Sequence, residues 1–509
     1  MNNKQKSKQI LIFGIISQVV TLLLGILLPK LLIGGFGSEI NGLLSSVKQI
    51  FVYVALLEAG VGTAALQAMY APIAINDTLK VSEIMAATDR YFRRTGFLYG
   101  LAVLVLAFAY PYIFKVELAP LTVAAIILLQ GFAGVIRYFF QGKLVILLRV
   151  DGRSYVTTNI QTAVTIASYI AQILLIVLGF DIIAVQIAYF LVNLCQMIYI
   201  TWYVKKQYPW LNLSAKPDYK ALGQSKFVIV HQLSGLIFNN TDMIVLTYFC
   251  GLKTVSVYAL YNLIFCSVGN IIDTLCSSVE FVMGQAFNSD RKRFMRLQEA
   301  YETYYLGFSF ALFTIALIMI PSFMEIYAGE FTDANYTDKY LPYLFVAVNV
   351  LMYARRTSSQ IINFAGAFKQ TQWRSIIESV INLTVSLIMV QYIGIYGVLV
   401  GTIAALVYRT NDVIIYANWN ILHRLPWQTY RRWVINLVWM VVLVYLAQWF
   451  LPEIDSFIEW CLVSAVVAIV TVVSFLVTDT LFDFKSLIVL REFIRNILNY
   501  LKNIHLNVL

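Results

Sequence analysis

Four basic side chains stand inside stretches that are otherwise apolar: Lys48 in SSVKQIFVYVALLEAG, Arg137 in GVIRYFFQGKLVILL, and Arg355 and Arg356 in YARRTSSQIINF. A charge near the centre of a bilayer costs roughly 2.5–3.5 kcal/mol on insertion scales, so such residues face a bundle interior or a wet cavity. Drawn together at low dielectric they would form a cationic chamber suited to a phosphate or pyrophosphate. Glu58, Asp242, Asp273 and Glu280 are the acidic residues in comparable positions. Their first reading is as counter-charges: Glu58 or Asp273 would hold Lys48, and Asp242 would hold Arg355. Buried pairs of that kind knit a bundle together without touching a ligand. The second reading is as a Na⁺ or H⁺ site, since carboxylates within spans serve ion relays.

Other chemistry finds little support. His231, His423 and His505 lie far apart without metal-binding neighbours, and His231 reads as a hydrogen-bonded packing residue. The five cysteines form no C-x-x-C pair and are expected as free thiols. No Walker A sequence or glycine-rich nucleotide loop is present, so the chain does not drive work with ATP by itself. No metal or organic cofactor is expected. A membrane-embedded glycosyltransferase or ligase would carry a large external loop, and the longest here spans only about 327–341.

The elements that position these charges follow from composition. The chain has 509 residues, 60% hydrophobic and 13% charged, with a mean hydropathy of +0.75. Soluble proteins are about 25% charged, and apolar runs of 18 or more residues signal spanning helices. Such runs recur throughout, predicting an all-α polytopic membrane protein of about 14 transmembrane helices. Their centres fall near residues 21, 54, 103, 134, 166, 192, 237, 270, 314, 353, 384, 406, 441 and 468. Numbered from a cytosolic N-terminus, these spans put 29 of the 37 Lys and Arg residues on the cytosolic side. Lys30, Lys115, Lys253 and Lys339 fall outside, and the four interior cations complete the count. That bias satisfies the positive-inside rule and predicts cytosolic N- and C-termini. The net charge of +10 is therefore topological, and no nucleic-acid partner is expected.

The chain repeats itself. LLPKLLIGGFGSEINGLLSSVKQIF has a counterpart in NNTDMIVLTYFCGLKTVSVYALYNLIF, which places Gly251 on Gly37 about 214 residues on. The tight turns at Gly179 and Gly394 are offset by about 215. An even number of spans restores orientation, so the copies are parallel repeats about an axis along the membrane normal. The expected organisation is an N-terminal six-helix bundle (1–204), a cytosolic linker (205–226) and a C-terminal six-helix bundle (227–422). Two accessory spans and an amphipathic tail follow (423–509).

Local patterns add detail. The segment 78–96 sets Val81, Ile84, Met85 and Phe92 opposite Lys80, Glu83, Asp89, Arg90 and Arg93, as in a short helix lying on the cytosolic leaflet. Arg137 is deep if its helix runs to about Leu148, and snorkels if it ends near Gly142. Glu378 and Asn382 fall within spans, whereas Asp412 reads as a solvated end. The last two spans show no obvious buried charge. The tail KSLIVLREFIRNILNYLKN spaces its apolar residues along one face, as a helix on the inner leaflet would.

The duplicated plan resembles the Wzx-type polysaccharide flippases of the multidrug/oligosaccharidyl-lipid/polysaccharide (MOP) exporter superfamily. The opening LLPKLLIGGFGSEINGLLSSVKQIF, NNTDMIVLTYFCG and YIGIYGVLVGT carry that likeness. It implies a protein of the bacterial cytoplasmic membrane that flips undecaprenyl-pyrophosphate-linked oligosaccharide repeat units by alternating access. By the same likeness Lys48, Arg137 and Arg355 would meet the pyrophosphate, with Arg356 beside them, and the first and eighth spans would border a lateral opening. Its partners would be the lipid-linked oligosaccharide, membrane lipids and the polysaccharide polymerase and chain-length machinery. A lipid II flippase shares the pyrophosphate cargo. A MATE-type cation-coupled exporter shares the scaffold but would more naturally expose acidic groups to cationic drugs.

Overall fold

Glycine at three repeated places sets the turns of this chain. In the computed structural model, Gly37 and Gly251, Gly152 and Gly366, and Gly179 and Gly394 all adopt positive φ, from 55° to 85°. That region is open to glycine at no steric cost. The members of each pair stand 214, 214 and 215 residues apart, so the two copies bend at the same points.

The structure describes residues 3–55, 61–114, 116–222, 238, 240–489 and 491–492, except the side chains of 3–19, 275, 277, 278, 281, 288, 368 and 369. Glu58, His231, Asn239, His505 and most of the amphipathic tail lie outside the described residues. Among the described residues every regular element is helical. The helices are α1 (Asn3–Phe36), α2 (Ser38–Val54), α3 (Val61–Ala74), α4 (Thr78–Phe114), α5 (Pro120–Val150), α6 (Ser154–Val177), α7 (Ile182–Gln207) and α8 (240–250). They continue with α9 (Leu252–Ser289), α10 (Arg291–Ala328), α11 (Leu341–Ala354), α12 (Arg356–Phe364), α13 (Phe368–Ile393), α14 (Ile395–Leu422), α15 (Trp427–Phe450) and α16 (Phe457–Phe482). Ten helices among the described residues are long and apolar enough to cross a membrane. The other predicted spans are the first (apolar over Val20–Phe36), the second (α2 and α3), the seventh, which begins outside the described residues, and the tenth, broken at Arg355. The chain divides into two compact units, Met1–Leu260 and Tyr261–Leu509.

In the first unit, α2 crosses the start of α9 at close range. Gly42 has no side chain, and a Cβ there would collide with the carbonyl of Leu252. Beside it, Asn41 Nδ2 donates to Ser256 Oγ at 2.7 Å. Ser256 stands one place after Val255, the repeat equivalent of Asn41. Leu28, Leu32, Leu43, Val47, Tyr110 and Ile127 close the apolar core around this crossing.

The segment 78–96 does not lie on the leaflet as a separate helix. It forms the first turns of α4, which runs unbroken for 37 residues. At 1.5 Å per residue that is about 55 Å, longer than the ~30 Å hydrocarbon core, so the amphipathic end projects beyond it. Its apolar stripe (Val81, Ile84, Met85, Phe92) packs against α3, α5 and the chain after α7. Asp77 starts the helix by accepting from the Lys80 N–H at 2.9 Å, and Asp290 starts the 38-residue α10 in the same way. Residues 208–222 dock onto this end of α4: Tyr208 and Leu222 are buried, and Asp218 pairs with Lys80 at 2.9 Å.

The second unit is centred on α10, the most buried of its spans. α13 and α14 form a tight hairpin in which Gly397 sits on the Met389 backbone and Gly401 on Ser386. The last two spans do carry buried charge, contrary to the sequence expectation. Glu302 of α10, wholly buried, accepts from Arg432 Nη1 at 2.7 Å, Arg424 Nη2 at 3.0 Å and Thr429 Oγ1 at 2.5 Å. Arg432 also donates to Asp483 at 2.6 Å, and Asn436 donates to the buried Asp479 at 3.1 Å. Arg432 and Asp479 lie within two turns of an end of α15 and α16, where hydropathy averages hide them.

Two outcomes follow. Gly42→Val costs about 1–3 kcal/mol through overpacking and lowers the melting temperature in detergent. Gly100→Ala, whose Cβ would meet Val135 at 3.6 Å, leaves it unchanged; equal melting of both variants would refute the close crossing. Lys80 holds the Asp218 carboxyl below its ordinary value. Docking of residues 208–222 is therefore full above about pH 4 and weakens as pH falls through the lowered value. Hydrogen exchange of that segment across the acid range reads this, and Asp218→Asn reproduces the loss at neutral pH.

Candidate functional site

The interior cations fall into two kinds, distinguished by what holds them. In the first unit, Lys48 lies on α2 and Arg137 opens a π turn (Arg137–Gln141) in the middle of α5. That helix runs on to Val150, so Arg137 is deep within it. Both residues are exposed on the unit's surface, and neither has a carboxylate partner among the described residues. An aromatic chain connects their surroundings. One turn after Lys48, Phe51 packs on Tyr99 with ring centroids 5.9 Å apart and lies 2.9 Å from where a Gly131 Cβ would stand. Tyr99 in turn lies 5.0 Å from the Tyr138 ring.

The second unit compensates its cations. Arg355 stands at the break between α11 and α12 and donates to Glu378 Oε1 at 2.7 Å. The other oxygen of Glu378 faces Arg409 at 3.5 Å, and Arg409 donates to Asp412 at 2.6 Å. Asp412 also receives Arg374. It is thus no solvated end but the link between two arginines, with its side chain only 15% exposed. Arg356 turns the other way, donating to Glu280 at 2.8 Å and pairing with Asp273. Tyr301 adds a 3.5 Å contact to Glu280.

Two of the four cations are paired with carboxylates: Arg355 meets Glu378, and Arg356 meets Asp273 and Glu280. Asp242 accepts from the Tyr258 hydroxyl at 2.8 Å. It belongs to a polar seam in the first unit, where Tyr53 meets Thr241 at 2.5 Å and Ser46 accepts from Tyr110 and Thr247 at 2.8 Å each. Sequence reasoning missed Arg374 and Arg409, which it left in loops. Their signal was the i+4 spacing of Arg374 and Glu378 and the i+3 spacing of Arg409 and Asp412, a ladder of alternating charge across one hairpin.

No family model matches the chain, and no curated protein matches it in sequence. Solved structures do match. The lipid II flippase MurJ in an inward closed conformation superimposes with a TM-score of 0.67 at 14% identity, covering 93% of this chain and 99% of that one. An inward-facing multidrug resistance MATE family transporter of the MOP superfamily gives 0.60 at 14% identity, covering 85% and 96%. A MATE structure in the bent conformation gives 0.54 at 16% identity, covering 80% and 94%. At these identities the likeness is one of fold: the chain is an all-helical, multi-pass membrane protein with the architecture those transporters share.

The two kinds of cation should separate in stability measurements. Arg355→Met leaves Glu378 without its main partner and costs about 3 kcal/mol. Lys48→Met and Arg137→Met break no pair and stay within about 0.5 kcal/mol of the parent. Thermal unfolding in detergent checks this; a loss in the Lys48 variant as large as in the Arg355 variant would reveal a hidden counter-charge.

Proposed function

We propose that this chain is a flippase for lipid-linked oligosaccharide repeat units carried on undecaprenyl pyrophosphate, acting in the bacterial cytoplasmic membrane by alternating access. The observation that carries the reading is the contrast between Lys48 and Arg137, exposed and without a carboxylate among the described residues, and Arg355 and Arg356, held by Glu378, Asp273 and Glu280. A cation left uncompensated within a span is costly, and an anionic cargo that supplies the missing charge offsets that cost. Lys48 and Arg137 are the pyrophosphate contacts. Arg355 and Arg356 reach phosphate by exchanging a carboxylate for it, which ties cargo binding to a rearrangement of the second unit. Asp273 and Glu280, released in that exchange, are the groups through which Na⁺ or H⁺ uptake would couple. Both termini lie in the cytosol on this reading, and the polymerase and chain-length machinery receive the product.

A lipid II flippase is the second reading, favoured by the fold match to MurJ across 93% of the chain. Basic rather than acidic groups at the uncompensated positions disfavour a MATE-type exporter of cationic drugs.

Reconstitution separates the readings. Proteoliposomes carrying the full chain should flip a fluorescent undecaprenyl-pyrophosphate glycan, and Lys48→Ala or Arg137→Ala should slow this about tenfold or more, the loss of one charge-assisted contact. Preference for lipid II over a peptide-free glycan would select the second reading. Parent-like flipping by both variants would remove these residues from the path.

A further inference from the structure

A second group of basic residues surrounds a cavity of about 310 Å³ within the first unit, between α4, α5, α7 and the docked chain at 208–213. Arg93, Lys143 and Lys205 line it, along with Thr201 and Tyr208. One carboxylate answers these three cations. Asp89 takes Lys143 on one oxygen and Arg93 Nε on the other at 2.8 Å. Lys143 is buried and gives a further hydrogen to the Phe139 carbonyl at 3.0 Å, so it is fixed in place. The Arg93 side chain is 61% exposed and spends only its Nε on Asp89, which leaves the fork of its guanidinium open. Lys205, exposed in the last turn of α7, has no carboxylate partner among the described residues.

The rest of the wall fits the same kind of ligand. The Thr201 hydroxyl is buried without a hydrogen-bond partner, a cost that a ligand oxygen would relieve. Tyr208 is held by Asp151 at 2.5 Å, while Leu211, Leu213 and Phe140 supply an apolar side. Just outside, Trp202 lies 5.1 Å under the Lys206 ammonium and stays half-exposed, the aromatic and basic pairing of a membrane–water boundary. A site with a cationic head, one free hydroxyl and an apolar flank at that boundary suits a phosphate ester attached to a lipid. Basic pockets between spanning helices hold anionic headgroups by this chemistry.

We propose that this cavity is a phosphate-binding site occupied by the headgroup of an anionic membrane lipid, distinct from the cations assigned to cargo. Because Tyr208, Leu211 and Leu213 form one wall, the bound headgroup fastens the segment that leads from the first bundle toward the second. The site uses neither Lys48 nor Arg137, so it stands or falls independently of the transport reading.

The test uses the full chain in nanodiscs of phosphatidylcholine with or without phosphatidylglycerol. Native mass spectrometry counts retained lipid, and hydrogen exchange follows residues 208–213. The double variant Arg93→Gln/Lys205→Gln changes only exposed side chains, and its melting temperature in phosphatidylcholine checks folding. The parent should retain phosphatidylglycerol and slow exchange of 208–213. The double variant should bind it roughly 25-fold more weakly, about a factor of five per basic residue. Thr201→Val should weaken it a few-fold. Equal retention by parent and double variant, or equal retention of the two lipids, overturns the proposal. A third arm adds inorganic phosphate without anionic lipid; protection as full as the lipid gives would overturn the lipid assignment and leave a soluble phosphate ester as the occupant.

Discussion

Carrying charge through hydrocarbon sets the terms for this structure. An isolated ion there loses its hydration, and only a close counter-ion with further hydrogen bonds makes up the loss. The second unit meets that condition repeatedly. Glu302 gathers Arg424, Arg432 and Thr429 around one carboxylate, and Arg432 passes its other nitrogen to Asp483. Arg355, Glu378, Arg409, Asp412 and Arg374 form a chain in which each acid sits between two arginines. The networks tie α15 to α10, and α13 to α14, in places where apolar packing alone would allow the helices to slide. They confer register as much as stability. Lys48 and Arg137 differ: both are exposed, and among the described residues neither meets a carboxylate.

The repeat shows how one plan supports two electrostatic solutions. Its turns are conservative in conformation, with glycine at positive φ at the same three places in each copy. Its long helices α4 and α10 start from aspartate caps at matching positions. The side chains between these fixed points differ. In the first unit hydroxyls and amides join α2 to α8 and the start of α9, whereas in the second unit Arg355 and Arg356 are held by carboxylates. Backbone geometry is thus shared, while charge is distributed unequally.

Features set by local rules were legible in the sequence. Hydropathy gave the helical class and the spans, and glycine spacing gave the duplication, because a residue needing positive φ announces itself by type. The deep placement of Arg137 depended on where its helix ends, which composition left open between Gly142 and about Leu148; it ends at Val150. Partner choice was beyond reach: that Glu378 meets Arg355 while Asp273 and Glu280 meet Arg356 depends on the rotational phase of helices far apart in sequence. The charges of α15 and α16 were missed for a different reason. Arg432 and Asp479 lie near the ends of spans whose mean hydropathy is high, so they read as boundary residues although both are buried. The amphipathic stripe at 78–96 was read correctly but assigned to the wrong surface. An apolar face seeks cover, and sequence does not say whether lipid or the chain's own 208–222 segment provides it.

The π turn in α5 accounts for two cation sites on one helix. Each residue inserted into an α-helix turns everything after it by about 100° about the axis, and such bulges concentrate at functional positions. Arg137 opens the bulge and is exposed; Lys143, beyond it, is buried on Asp89 at the wall of the cavity between α4, α5 and α7. Without the extra residue, the half of the helix after Gln141 would present a different face to α4, and Lys143 would not be directed at Asp89. In the second copy, the position equivalent to Gln141 is Arg355, where the helix breaks between α11 and α12. Both copies therefore interrupt the same helix at the same depth, and each uses the interruption to aim basic side chains in two directions: Arg137 and Lys143 in one, Arg355 and Arg356 in the other.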